Sequence, residues 1–560
     1  MTKIGRRGSC WGVASPHPAA TDAAAAVLGE GGSAVDAAIA AAGVLTVVYP
    51  HNCSIGGDLI ALVRSPGERP KAVFGVGRSA AAIDVDALRR DFGERLPDHG
   101  PHSISVPGVV SGWQALHELG GWRPIGRLLE PAIALASQGA VVSASLARAL
   151  EELETSDPGI TSVFGPPGTR LGLGDVFIQP ALAETLARVA DEPDAYYRGE
   201  LAQRLAAGLE AAGSPITLED LSAHQPFVAD AAMTEAGTLA PRLFTAGLPS
   251  QGRFFAALAE TVDGLLARGY DLTGRDARAL ARAFAWISQL RDELLSDPAR
   301  APATRGIDLR LGEEGHLAAW LSTARADRLA PDRLAPDHFA RDHIPPDERR
   351  GGQRLAEGPA RPRGDTVAVV TFDAAGRSVS MLQSVFHSFG SRVLDPATGV
   401  LFHSRQSMFT LRPAAPGALG PRLMPPHTLC PTMVDTSEGT PLLLLATMGG
   451  RAQPQILTQV LLQVAKGASA ADALGAPRFI VEGTGTSGSQ PVVRAESDLP
   501  DAAVGSLAQG GFDVRLVSAR NEEMGHAQLL WVDQDRVVGA ADPRSDGTAR
   551  TGTAPPSRAT

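Results

Sequence analysis

One position in this sequence would put an attacking oxygen and a proton acceptor on a single residue, provided the peptide bond before it breaks. Thr366 follows a stretch, about 324–364, that is dense in Arg, Asp and Pro and repeats Arg-Leu-Ala-Pro-Asp at Arg328 and Arg333. Its last part, Asp347–Gly364, is almost devoid of apolar residues and reads as a flexible or exposed linker. The text then turns β-branched. Thr366–Phe372 reads as a strand, Asp373–Gly376 as a turn and Ser378–Val385 as the returning strand of a hairpin. Inside an intact chain Thr366 is an ordinary strand residue. Freed at its amino side, it carries an α-amine with an unperturbed pKa of about 7.7–8. That amine can take the proton of its own hydroxyl, a recognised nucleophile–base unit.

A second segment could serve the same chemistry. Thr447-Met448-Gly449-Gly450 follows an apolar strand, Leu442–Ala446, and precedes a helical pattern. Glycine lets backbone N–H groups approach a substrate carbonyl closely, where they stabilise the oxyanion of acyl transfer. Alone, the segment also fits a plain strand-to-helix turn. Other chemistries find no support. No His-Glu-x-x-His or Walker loop is present. Gly483-Thr-Gly485-Thr-Ser-Gly488 matches a dinucleotide fingerprint, but Pro491 and Val492 follow where a helix should begin. The histidines are scattered, so no metal site is expected and no cofactor is implied. For His17, His51 and His427 a satisfied structural role is the better single-residue reading.

The elements that must position these groups are layered. Pro18–Leu28 reads as a helix ended by Gly29, and Ser33 caps a second helix through Val35–Ile39. A short strand spans Leu59–Val63, and helical text fills about 113–210 and Phe254–Leu295. After the hairpin come strands near Leu442–Thr447 and Leu529–Val538, with helices at about Gln453–Ala468 and Leu499–Gln509. This is α/β text in both halves. The 560 residues are too many for one small module. With 51 basic against 61 acidic residues, a broad nucleic-acid face is excluded. Cys10, Cys53 and Cys430 form no disulfide framework, and no apolar run is long enough to span a bilayer. No membrane association and a cytoplasmic, reducing setting are the expectation.

Several segments, in order, resemble the γ-glutamyltransferase family of N-terminal-nucleophile hydrolases. They are Ala14-Ser-Pro-His17, Gly31-Gly-Ser-Ala-Val-Asp36, Pro50-His-Asn-Cys-Ser-Ile-Gly56-Gly57, Gly364-Asp365-Thr366-Val, Phe389-Gly-Ser391, Pro431-Thr432, Met448-Gly-Gly450 and Ala541-Asp-Pro-Arg544. The resemblance covers most of the chain. It implies a four-layer αββα sandwich built from both fragments of a self-cleaved precursor. Residues 1–365 would form the large fragment, ending in the linker at about 324–365, and 366–560 the small one. Cleavage falls between Asp365 and Thr366, and Thr366 then forms an acyl-enzyme with an amide substrate. Ser384 matches a hydroxyl that supports the nucleophile, Gly449 and Gly450 match the oxyanion pair, and Arg78 matches the clamp for a substrate carboxylate, a task suited to a bidentate guanidinium.

The same resemblance marks departures. The position of the family's glutamate-binding Asn falls on Phe386, and the acidic partner of the substrate ammonium falls near Met408. Arg405 precedes it, and the serine pair at the α-carboxylate reads His427-Thr428. An ammonium would lack a counter-charge there, which is costly when buried. A carboxylate site survives, with Arg78, Arg405, His427 and Thr428 available. The short segment Phe409–Pro425 predicts an open site. These features resemble the family's acylase-like and oxamate-amidohydrolase-like branches. The expected activity is hydrolysis or transfer on a carboxylate-bearing amide, of γ-glutamyl/glutathione, oxamate or glutaryl type. The alternative is an unprocessed, silent member acting as a binding protein. Beyond association of the two fragments, assembly into homo-oligomers is open.

Overall fold

The computed structural model describes residues 10–300, 303–304, 307–308, 364–435, 441–482, 491–533 and 536–554. The expected linker, apart from Gly364 and Asp365, and the glycine run 483–488 lie outside the described residues.

Two large sheets form the centre. The first has seven strands in the order Thr548–Thr553, Cys10–Ser15, Gly364–Phe372, Ser378–His387, Asp58–Arg64, Lys71–Gly75 and Phe227–Asp230. The second has six, in the order Arg536–Ala541, Ala527–Asp533, Pro441–Thr447, Thr432–Asp435, Ala240–Thr245 and Ala232–Ala236. All pairings within both sheets are antiparallel. Side chains alternate along each strand. Ala368, Val370, Ile60, Leu62 and Leu382 of the first sheet meet Phe244, Met433, Leu444 and Leu530 of the second in one apolar layer. Val367, Val369, Leu59 and Ala61 point the other way, into a core with the helices of the first half. Leu243, Val434, Leu445 and Leu529 point outward into a third core, with helices Gly252–Leu266, Ala277–Leu294 and Gln453–Ala465. The result is the expected αββα sandwich.

Local text explains the elements nearest the site. Helix Ala34–Val48 is buried along its whole length, which its small side chains permit. Ser33 and Asp36 close a reciprocal capping box at its start, at 3.0 and 2.9 Å, a device worth about 1 kcal/mol. The hairpin turn forms as read, with the Gly376 N–H donating to Asp373 O at 2.9 Å. Two readings need correction. The strand read over Leu529–Val538 is a hairpin of Ala527–Asp533 and Arg536–Ala541, the polar Asp533 and Arg536 pairing at its turn end. The nucleophile strand starts at Gly364, so it runs through the Asp365–Thr366 bond rather than beginning after it. Both strands of that hairpin lie between Cys10–Ser15 and Asp58–Arg64, so the sheet interleaves the two parts of the chain.

Candidate active site

Thr366 is 1% exposed and sits opposite Ser384 on the neighbouring strand. The ladder shifts register at this point: Asp365 pairs with Phe386 while Thr366 pairs with Ser384. Val385 is therefore an extra residue, and its backbone turns to Asn52 O at 3.2 Å and the Ser404 N–H at 3.0 Å. Bulges of this kind re-aim side chains. Here the bulge gathers three groups. The Thr366 hydroxyl donates to Ser384 Oγ at 3.1 Å, and Ser384 Oγ donates to the Asp365 carbonyl at 2.6 Å. The Phe386 N–H donates to the same Ser384 Oγ at 2.9 Å. Phe386 has φ 78°, an unfavourable region for an aromatic residue, which tertiary contacts must enforce. Gly57 allows the approach from the third strand, since a Cβ there would lie 2.5 Å from Ser384 O.

Beside this bulge lies a buried ionic group. Asp58, paired across the sheet with Ser384, is fully buried. His427 Nε2 lies 3.2 Å and His403 Nδ1 3.3 Å from its Oδ2. Burial opposes its charge, but His403 and His427 outweigh that and hold the carboxyl well below its usual range. Burial and the charge of Arg405 push His427 down to about 3, so its ring is neutral near pH 7. The Arg405 guanidinium stacks 4.1 Å from the Phe386 ring centroid, and Nη1 donates to Thr428 Oγ1 at 3.2 Å. Its Nε and Nη2 have no hydrogen-bond acceptor among the described residues. Burial pushes its pKa down to about 9, opposed by Asp58, which leaves it charged at neutral pH.

The two glycines form the expected turn between strand and helix. Gly449 has φ 141° and Gly450 φ 51°, and a Cβ on Gly449 would meet Ile456 Cδ1 at 2.3 Å. The turn Gly450–Ala452 packs against the nucleophile strand. Arg78 is placed differently from Arg405. It is about half exposed, donates to Arg422 O at 3.0 Å and lies 3.5 Å from Asp297. The structure thus brings Thr366, Ser384, Arg405, His427 and Thr428 into one connected group and leaves Arg78 at its outside. Met408 is half-buried beside Arg405 in the chain. Segment 409–425 is pinned by Ser79, whose hydroxyl donates to Gly420 O and accepts from the Leu423 N–H.

Sequence reading missed Asp58, His403 and Gln251. Asp58 directly follows the quoted Pro50–Gly57 segment, but nothing in its neighbours revealed two histidines arriving from more than 300 residues away. A cavity of about 260 Å³ lined by Leu272, Leu280, Phe479 and Leu499 lies in the helix layer outside the second sheet, not at this group.

The interleaved αββα sandwich with a Thr at the bulge defines an N-terminal-nucleophile hydrolase. The profile of the family described as Gamma-glutamyltranspeptidase matches residues 20–552, and the chain belongs to that enzyme family. It is 34% identical to the oxamate amidohydrolase proenzyme of Klebsiella pneumoniae subsp. pneumoniae, over 96% of this chain and 97% of that protein. It is 32% identical to the glutathione hydrolase-like YwrD proenzyme of Bacillus subtilis, again over 96% and 97%. The cephalosporin acylase from Bacillus halodurans superposes with a TM-score of 0.81 at 25% identity, covering 98% of this chain and 97% of its own. The resemblance to the acylase-like and oxamate-amidohydrolase-like branches holds. Among the described residues, no helix is long and apolar enough to cross a membrane.

Proposed function

We propose that the chain cuts itself between Asp365 and Thr366 and then hydrolyses an amide whose acyl part bears a carboxylate and no α-ammonium. The carrying observation is the hydrogen-bonded run from the Thr366 hydroxyl through Ser384 Oγ to the Asp365 carbonyl. In maturation, Thr366 Oγ adds to the Asp365 carbonyl carbon while Ser384 relays the proton toward the developing oxyanion. The C–N bond then breaks, its nitrogen takes the proton, and water hydrolyses the resulting ester. This leaves an Asp365 carboxylate and a free Thr366 amine in two fragments that share one sheet.

In turnover, the amine takes the hydroxyl proton as Oγ attacks the substrate carbonyl. The Gly449 and Gly450 N–H groups receive the oxyanion. The leaving amine takes the proton back, and water releases the acid from the Thr366 ester. Arg405 supplies the carboxylate site, supported by Thr428 and neutral His427, with Arg78 at the outer edge. An ammonium against Phe386 would meet the Arg405 charge instead of a counter-ion. Oxamate-type and glutaryl-type amides are therefore favoured over γ-glutamyl ones. The three free thiols, two of them buried, support a cytoplasmic setting.

A denaturing gel tests the first half. Two bands of about 38 and 20 kDa, dividing 58.1 kDa between residues 1–365 and 366–560, are expected, with Thr366 at the start of the smaller. Thr366→Ala should give one band and no turnover, and Thr366→Ser should keep part of each. Ser384→Ala should slow both steps. A single band with full activity would refute the proposal. Assaying the processed enzyme on γ-glutamyl, glutaryl and oxamate amides tests the second half, and a strong preference for γ-glutamyl would overturn it.

A further inference from the structure

A residue outside the reacting group touches both ends of the proposed site. Gln251 stands before helix Gly252–Leu266 and is fully buried. Its backbone is fixed against the binding segment: Gln251 N–H donates to His427 O at 2.9 Å, and His427 N–H donates to Pro249 O at 2.8 Å. Its side-chain amide is nearly saturated. One Nε2 hydrogen goes to Thr428 O at 2.7 Å and the other to Gly450 O at 3.0 Å. Oε1 accepts from Arg291 Nη1 at 3.1 Å, and that same Nη1 donates to Arg451 O at 2.7 Å. Two carbonyl acceptors on one side and a guanidinium donor on the other fix which amide atom is nitrogen.

We infer that Gln251, braced by Arg291, is a positioning residue that holds the Gly449–Gly450 turn and ties it to the carboxylate end of the site; this rests on reading that turn as the oxyanion donor. Two successive glycines have more backbone freedom than any other pair. Nothing in their own side chains can hold them. Gln251 and Arg291 grip the next two carbonyls, Gly450 O and Arg451 O, which fixes the peptide planes beside the donating N–H groups. Both gripping residues come from the part before the cleavage site and both gripped carbonyls from the part after it. The turn is thus set by the association of the two fragments. Donors misplaced by about 1 Å lose on the order of 10²-fold in rate. Maturation differs, because the Asp365 carbonyl is held by Ser384 Oγ.

The test uses the full-length enzyme carrying Gln251→Met, Gln251→Glu or Gly449→Ala, assayed on the fastest of the three amides. Gln251→Met keeps the volume without hydrogen bonds. Gln251→Glu keeps the Arg291 contact but sets carboxylate oxygens against two carbonyls. Both Gln251 variants should mature to two bands, with kcat lowered about 10–100-fold and KM within about threefold. Gln251→Met with Gly449→Ala should lose less than the product of the single losses, since both act on one turn. Arg291→Lys, a milder change, should lower kcat a few-fold in the same direction. A normal kcat in both Gln251 variants beside a crippled Gly449→Ala overturns the inference alone, as does a loss confined to KM or accompanied by failed maturation. Full activity of Gly449→Ala overturns the oxyanion reading and the inference with it.

Discussion

Arg405 and Arg544 are both buried arginines, and they are satisfied in opposite ways. Arg544 uses all five of its N–H donors: Nε on Glu496 at 2.8 Å, Nη1 on Leu474 O at 2.8 Å and Asp542 at 3.0 Å, and Nη2 on Ala476 O at 3.0 Å and on Glu496. Arg478 shares Asp542 at 2.7 Å. Burial opposes the Arg544 charge, but Glu496 and Asp542 outweigh it and raise its pKa. Arg405 has one hydroxyl and one aromatic face, and burial lowers its pKa. A saturated fork pins local structure. An unsaturated one beside the proposed nucleophile strand, with no acceptor for Nε and Nη2 among the described residues, supports the proposed carboxylate site.

The largest expected effect separates the two by stability. Arg544→Met leaves Glu496 and Asp542 buried with much of their counter-charge gone, which costs about 3–5 kcal/mol. Its thermal midpoint should drop by several degrees, while the matured fraction keeps the wild-type KM. Arg405→Met removes a poorly satisfied charge and keeps the bulk over Phe386, so its midpoint should stay within about 2 °C. A comparable loss of stability in both variants would erase the distinction.

Catalysis should separate them the other way. Arg405→Met is expected to raise KM for the preferred carboxylate-bearing amide about 10–100-fold, the range for losing a charge-assisted hydrogen-bonded pair. Maturation should proceed, since the Arg405 guanidinium makes no hydrogen bond to Thr366, Ser384 or Asp365. Arg78→Ala should raise KM less, because its guanidinium is half exposed and already on Asp297. If Arg78→Ala raises KM more, the carboxylate sits at the outer arginine and Arg405 only supports the fold.

Acid should loosen the fold through its buried histidines. His427 and His224 are buried and depressed to about 3 and about 4, chiefly by burial. Below the ordinary histidine value near 6.5 the unfolded chain binds these protons and the folded chain does not. Stability therefore falls as pH drops from about 6.5 toward 4, with a slope approaching about 1.4 kcal/mol per pH unit for each such histidine. Asp58, with its lowered pKa, adds a further loss only below its unfolded value of about 3.9. Asp542, held low by Arg478 and Arg544 against its burial, likewise enters only in that lower range. Melting curves from pH 7.5 to 4.5 should show the decline in wild type and a shallower one in His427→Gln. Identical slopes would remove His427 from the account.

The sequence made the hairpin, the layers and Thr366 legible because each has a local cause: a change of composition, a period of two, a turn, a glycine pair after an apolar strand. It also exposed the departures at Phe386 and Met408 by position. The strand running through Asp365 was hidden by the linker composition just before it. The bulge at Val385 was not legible, since it depends on Asn52 and Ser404 taking that residue's backbone groups. Asp58, His403 and Gln251 were missed for the same reason, as their partners are set by tertiary contact over long stretches of chain. Arg405 was named as available, but its burial and unmet donors became visible only once Phe386 and Thr428 were placed around it.

The smallest expected effect is also the most direct reading of the difference between the two arginines. A small dicarboxylate such as oxalate, added to processed enzyme, should bind the unmet edge of Arg405 and stabilise the folded state by RT ln(1 + [L]/Kd), about 1.4 kcal/mol at ten times Kd. The thermal midpoint should rise by a few degrees and saturate. Equal ionic strength of chloride should not reproduce it, since a spherical ion cannot engage a guanidinium bidentately. Arg405→Met should lose the rise, while Arg544→Met should show it in full from its lower starting point, because a fork with five donors already committed has none to offer. A rise that survives in Arg405→Met would place the anion elsewhere, and would make the unpaired edge of Arg405 a cost of the fold rather than a feature of the site.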